Sequence, residues 1–141
     1  MQYEIKGGSM PVVVCTLQNG ESIKTEKGAM SWMSPNMEMQ TNAGGGIGKA
    51  FSRIFTGESM FQNIYTARGG TGLIAFASSF PGEILAIPIS ASRSIVAQKH
   101  AFLAMESGVE MKLFFQKRFG SGLFGGEGFI MQQFVGNGIV F

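Results

Sequence analysis

Apolar and polar residues alternate along most of this chain, in short runs separated by glycine. Residues 10–17, MPVVVCTL, form a β-branched run that stops at Asn19-Gly20, a dipeptide that favours tight hairpin turns. Residues 21–27, ESIKTEK, alternate as a half-exposed strand does. In residues 36–42 Met37, Met39 and Thr41 fall on one face of an extended chain, and Glu38 and Gln40 on the other. Residues 61–67 and 73–78 read as strands around the turn Gly69-Gly70-Thr71-Gly72. The plan then returns in SIVAQKHAF, VEMKLFF, GFIMQQFV and GIVF, with Gly136-Asn137-Gly138 as the corresponding turn. Residues 3–6 fit an additional edge strand. Ile47, Phe51, Ile54 and Phe55 carry the spacing of a short amphipathic helix, although Gly120 and Gly122 at the matching later positions weigh against it. Short strands punctuated by glycine predict an all-β sandwich or barrel.

The return of the plan is a duplication. Residues 22–40 laid on 94–112 match at seven positions with a constant offset of 72: Ser22/Ser94, Ile23/Ile95, Lys27/Lys99, Ala29/Ala101, Met33/Met105, Glu38/Glu110 and Met39/Met111. The stretch Phe55-Thr56-Gly57-Glu58 falls on Phe124-Gly125-Gly126-Glu127 at offset 69, and Gly70-Thr71-Gly72 on Gly136-Asn137-Gly138 at offset 66. Two steps of three residues are what loop deletions between kept strands produce. The expected organisation is a first unit over 10–81, a second over 82–141, and an N-terminal edge strand within 1–9. Phe141 maps onto Ala75, so the second unit lacks the equivalents of residues 76–81. Either the N-terminal strand completes that sheet, or the chain is a piece of a longer one; the second expectation is preferred.

Composition narrows the function classes. With 45% hydrophobic and 14% charged residues the chain is globular, and its net charge of +2 does not by itself call for nucleic acid or an anionic membrane. One cysteine excludes an intrachain disulfide and a cysteine-based zinc site. The first ten residues have no apolar signal-peptide region, and Pro81-Gly82-Glu83 interrupts the most apolar stretch; a soluble cytoplasmic protein without membrane insertion is expected.

Candidate chemistry is sparse. The sequence has no aspartate and a single histidine, which removes a Ser-His-Asp triad and any multi-histidine metal site within one chain. His100 matches Gly28 and is expected at a surface turn. AGGGIGKA at 43–50 resembles a phosphate-binding loop but has Ala43 and Ala50 where that loop needs Gly and Ser or Thr. Gly57-Glu58 and Gly126-Glu127 hold the same place in each unit, and their carboxylates suit turn N–H groups better than acid/base work. Gly70, Gly72, Gly136 and Gly138 are the matched turn glycines. Cys15 reads as a buried small hydrophobe, and the ten methionines as core filling. Of the scattered basic residues, Arg68 and Arg93 among them, Lys49, Arg53, Lys117 and Arg118 are the candidates for a basic patch; Lys49 and Arg118 match at offset 69.

The order YEIKGGSMPVVVCTLQNGESIKTEKGAM, GESMFQNIYTARGGTGLIAFA, FLAMESGVE and LFGGEGFIMQQFVGNGIVF resembles the altered inheritance of mitochondria (AIM) family of TRAP-like β proteins. The resemblance implies tandem units like the β-sandwich (double-stranded β-helix type) of the tryptophan RNA-binding attenuation protein (TRAP), sharing one core. It implies no catalytic residues and no cofactor, and it suggests a longer family chain. Eukaryotic relatives are tied to mitochondrial inner-membrane organisation, a location that is not expected to carry over, since no transit peptide is read in this sequence. The expected function is a non-enzymatic oligomeric assembly or scaffold protein whose partner is itself, as a cyclic homo-oligomer with a trimer favoured. The alternative is a small-ligand or RNA-binding module in the manner of TRAP.

Overall fold

The computed structural model describes residues 1–42, 62–116 and 129–141, and among these every regular element but one is a strand. In chain order they are β1 (Gln2–Lys6), β2 (Val12–Leu17), β3 (Ser22–Glu26), β4 (Met30–Met33), β5 (Met37–Asn42), β6 (Gln62–Ala67) and β7 (Gly72–Ala77). The second half has β8 (Ile87–Ile89), β9 (Ile95–Gln98), a 3-10 turn at Lys99–Ala101, β10 (Ala104–Glu106), β11 (Val109–Gln116), β12 (Phe129–Gly136) and β13 (Gly138–Val140). The protein is all-β. Alternation sets the faces: in β2 Val13, Cys15 and Leu17 are buried between half-buried neighbours, and in β3 Ile23 and Thr25 alternate with Ser22, Lys24 and Glu26. The helix read at 47–55 lies outside the described residues.

Three antiparallel sheets result, in the orders β1-β2-β7-β4, β5-β6-β3-β10-β13-β8 and β11-β12-β9. The ladders of the two halves correspond residue by residue. Ile23 opposite Tyr65 is repeated by Ile95 opposite Phe134, Leu17 opposite Gly72 by Ile89 opposite Gly138, and Met33 opposite Ile74 by Met105 opposite Val140. Thus β2-β7-β4 is matched by β8-β13-β10, and β5-β6-β3 by β11-β12-β9. One strand from each half joins them: β3 pairs with β10 and fuses two three-stranded sheets into the six-stranded one.

Several expectations change. Asn19-Gly20 closes no hairpin, because β2 and β3 belong to different sheets. The turn instead carries the chain from one sheet to the other. Gly20, at φ 85°, donates its N–H to Ala67 O, and Asn19 Oδ1 accepts from the N–H of Gly69. The N-terminal strand does not complete the second unit: among the described strands β1 pairs with β2 alone, and the N-terminal segment meets the second half through side chains and its terminus, the Tyr3 ring lying edge-on to Phe141 at 5.0 Å. The single shared core resolves into two clusters. One surrounds Val13, Leu17, Ile23, Tyr65, Ile74 and Phe76 and draws in Ile84, Ala104 and Phe141 from the second half; the other contains Ile89, Phe102, Met105, Val109, Phe134 and Val140. Met37 and Met105 fill these cores as expected, but Met10, in the bend before β2, is exposed, and so are Met33 and Met39, whose strand faces meet no second layer among the described residues.

By ladder register, Gly136 stands opposite Val109 where Ala67 stands opposite Met37. The three-residue deletion therefore falls in the loop 68–71, which is reduced to Asn137, and the matching of Gly70 with Gly136 gives way to Ala67 with Gly136. The matching of Gly72 with Gly138 stands. Both are crowded from the same direction: a Cβ on Gly72 would run into Met37 Sδ, and one on Gly138 would meet Val109 Cγ2 at 3.1 Å and Glu106 Cβ at 3.0 Å. Gly138 also has φ 145°. Gly138→Ala is expected to cost about 1–3 kcal/mol in urea unfolding. Gly72→Ala is expected to cost less, because the Met37 thioether can turn aside.

Candidate functional site

The most elaborated polar region is the seam where β3 meets β10. Thr25 stands opposite Ala104, Lys24 opposite Met105 and Ile23 opposite Glu106. Buried Thr25 donates its hydroxyl to Leu103 O at 2.6 Å. The Lys24 ammonium crosses the seam to donate to Ser107 O at 2.8 Å and Val109 O at 3.0 Å, a charge-assisted pair of bonds that ties the first half to the β10–β11 turn. At the end of the seam a polar cleft of about 430 Å³ contains Met1, Glu21, Ser22, Glu106, Ser107 and Asn137. The Met1 ammonium lies 3.2 Å from Glu21 Oε1 and 3.7 Å from Glu106 Oε1, so one carboxylate from each half faces the same cation.

Each carboxylate is also held by backbone. Glu21 Oε2 accepts from the N–H of Gln18 at 2.8 Å, and Glu106 Oε2 from that of Ile139 at 2.9 Å. The Gln18 bond foremost, with help from the Met1 ammonium, holds the Glu21 carboxyl below its ordinary range. Glu106 repeats a role that Ser34 plays in the first half, where Ser34 Oγ accepts from the N–H of Leu73 at 2.9 Å. Burial first, and the charge of Glu106 second, push the Cys15 thiol up to about 12. Cys15 is thus an inert packing group.

The same duplication that builds the seam leaves its two halves repeated elsewhere. The counterpart of β3 is β9, and that of β10 is β4. Among the described residues β9 pairs only with β12 and β4 only with β7, so each presents one unpaired edge. Neither strand, MSWM or IVAQ, carries a charge. Trp32 and Val96 are 47% and 46% exposed, and Met33 is exposed beside them. Unpaired apolar edges are what soluble β proteins normally blunt with charge or cover.

Glu58, Glu127, Gly57, Gly126, Lys49, Arg53, Lys117 and Arg118 lie outside the described residues, as does the glycine loop at 43–50. Arg68 binds Glu38, Nε to Oε2 at 3.0 Å, with both side chains more than half exposed. His100 sits exposed in the 3-10 turn, as its glycine counterpart suggested. Among the described residues no group of three His, Cys, Asp or Glu side chains is placed to hold a metal ion, and no helix is long and apolar enough to cross a membrane. Reading by repeat alone missed Lys24, Thr25, Glu21, Glu106 and the β4 and β9 edges. A signal was present: Lys24 has Val96 as its counterpart, and a polar-to-apolar change at a matched position marks a difference in surroundings.

The architecture defines a protein built from an internally duplicated antiparallel β unit. The family profile described as "Mitochondrial biogenesis AIM24" matches residues 3–141, and the chain belongs to that family. It is 32% identical over 125 residues to an uncharacterized protein of Streptococcus pyogenes serotype M6, covering 84% of this chain and 49% of that one. It is also similar to the crystal structure of a Streptococcus pyogenes protein, with a TM-score of 0.74 and 25% identity, over 99% of this chain and 62% of that chain. The chain thus spans about half the length of the curated relative it matches.

Two pH and reactivity outcomes follow. Because the Glu21 carboxyl is depressed in the folded state, its contribution to stability is present above the ordinary value of 4.5 and is lost as pH falls below it; Glu21→Gln should flatten the acid limb of stability against pH. The raised Cys15 thiol works in the opposite sense, its contribution being complete below 9.0 and lost as pH rises towards about 12. At neutral pH a thiol reagent should label Cys15 only at the rate of opening of the fold, measured by mass spectrometry against urea.

Proposed function

We propose that this chain is a non-enzymatic assembly module of tandem TRAP-like units, which joins further copies of itself head to tail by pairing β4 of one copy with β9 of the next. The observation that carries this reading is the β3·β10 seam: the molecule already contains one joint of this kind, and the two strands that would make the next are free among the described residues. Transferring the seam register to the counterpart strands places Trp32 opposite Ala97, Met33 opposite Val96 and Ser34 opposite Ile95. Every pair but the last is wholly apolar, and the large exposed side chains of both edges become each other's cover. Where the internal seam is fastened by the Lys24 ammonium, the joint between copies is fastened by apolar burial at Val96.

The joint is heterologous, so repeating it either closes a ring or extends a filament. A ring of three chains, six units in all, is the expected closed form. The charge balance offers less to the RNA reading, since Arg68 is already engaged by Glu38.

Light scattering and sedimentation at micromolar concentration should give a discrete species of several chains. Val96→Lys should return it to a folded monomer with an unchanged β-sheet circular dichroism spectrum, and with the apparent stability lowered only by the association it loses. The pair Met33→Cys and Val96→Cys should form a disulfide between chains on mild oxidation, since directly opposed strand positions suit its geometry. A wild-type chain that sediments as a monomer throughout this range sinks the assembly reading.

A further inference from the structure

Gln132 is a buried polar residue in the middle of β12, 4% exposed, and its Oε1 accepts no hydrogen bond among the described residues. A buried acceptor left unpaired costs stability, so such a position calls for a donor. The ladders place Gln132 between Leu113 of β11 and Ala97 of β9. Its counterpart in the first half is Asn63, between Thr41 of β5 and Thr25 of β3. There the carbonyl is satisfied, because Thr41 Oγ1 donates to Asn63 Oδ1 at 3.1 Å. In the second half a leucine and an alanine stand where the two threonines stand, and neither side chain has a donor.

The row continues past these strands. In the internal seam Thr25 stands opposite Ala104 of β10, so the row runs Thr41, Asn63, Thr25, Ala104, and Ala104 is fully buried in the first apolar cluster. In the β4-to-β9 joint proposed above, on which this inference rests, the corresponding row is Leu113, Gln132, Ala97 and then Trp32 of the next copy. The bulk is transposed: Thr25 before Ala104 in the seam becomes Ala97 before Trp32 in the joint. Trp32 is the chain's one tryptophan, 47% exposed, and its indole N–H has no acceptor among the described residues. An indole can only donate. Positions two strands apart in one row are separated by about 10 Å, and between Gln132 and Trp32 only the Ala97 methyl group stands on that face. An indole reaching in from one side and a glutamine arm from the other close such a distance.

We propose that Gln132 accepts a hydrogen bond from the Trp32 indole N–H of a second copy of this chain, so that each joint is keyed by one polar contact buried among apolar side chains. The donor lies on β4, the strand whose counterpart β10 fills the matching place in the seam. The contact gives the joint selectivity. A strand with an apolar residue in place of Trp32 would leave Gln132 Oε1 buried and unpaired, and a copy without Gln132 would do the same to the indole. Ala104 has no group that reaches Gln132, so β9 is directed to β4 of another copy rather than to its β10.

The sole tryptophan makes the test direct. On dilution of the whole chain, sedimentation and Trp32 emission should change with the same midpoint concentration, the emission lying at shorter wavelength in the assembled form. Trp32→Phe keeps a ring but loses the donor, and Gln132→Met keeps the length but loses the acceptor. Each should raise the sedimentation midpoint about tenfold, because each leaves the other group buried and unpaired. The double variant should lie closer to wild type than the product of the two single effects, the signature of a shared bond. Trp32 is exposed in the single chain, so Trp32→Phe keeps its circular dichroism spectrum and decides the matter alone if Gln132→Met does not fold. If the wild-type chain assembles but Trp32→Phe moves the midpoint by less than about twofold, or the two effects simply multiply, the pairing is overturned and the joint stands. If the wild-type chain does not assemble, the joint and the pairing fall together.

Discussion

The whole arrangement depends on one short antiparallel ladder, β3 against β10. Its three residue pairs convert two separate three-stranded sheets into a single six-stranded sheet, and it is the only ladder among the described strands that joins the duplicated halves. Such a contact is vulnerable by length, and the structure compensates with side chains. Thr25 is buried with its hydroxyl bonded across the seam, Lys24 reaches two carbonyls beyond it, and Glu21 from one half and Glu106 from the other approach one ammonium. The first apolar cluster also crosses the seam through Ala104 and Phe141. Hydrogen bonds, charge and burial thus act together where backbone pairing alone would be marginal.

Duplication explains the remaining layout, including its irregularities. A unit that pairs through one strand and receives through another must leave one of each unused when only two units are joined in a row. That is why β4 and β9 are edges among the described strands, and at the position where the internal seam has Lys24 the β9 edge has Val96. Family membership accords with this reading of the fold. The greater length of the relatives means that the behaviour of a whole family protein extends beyond what these residues carry.

Much of the fold was legible in the sequence because strand periodicity is local. The alternation at Val13, Cys15 and Leu17, the 72-residue offset, the turn at His100 and the burial of Cys15 could all be read from neighbouring residues or from the matched copy. What escaped depends on which strands become neighbours. Asn19-Gly20 has the composition of a hairpin turn, yet its flanking strands go to different sheets, a choice made by β7 and β6 rather than by the turn. Met33 and Met39 alternate as core residues do, but no second layer among the described residues covers them. The register of Gly136 required the ladder, since similar turn glycines can be aligned three residues apart. The seam was hidden for the same reason: nothing local to Lys24 names Met105 as its partner.

The sequence distance across that seam has a consequence during synthesis. Lys24 and Met105 face each other although they stand 81 positions apart in the chain, and at roughly 5–20 residues per second β3 waits on the order of 4–16 s before β10 emerges from the ribosome. Throughout that interval the nascent first half displays the edge of β3, which the finished protein hides. On a polysome the β10 strands of neighbouring, more advanced chains stand close by, with the correct sequence for that edge. The wait therefore sets up a competition between the chain's own second half and that of a neighbour. An exchanged pair would preserve every contact of the seam, and only the connectivity would differ.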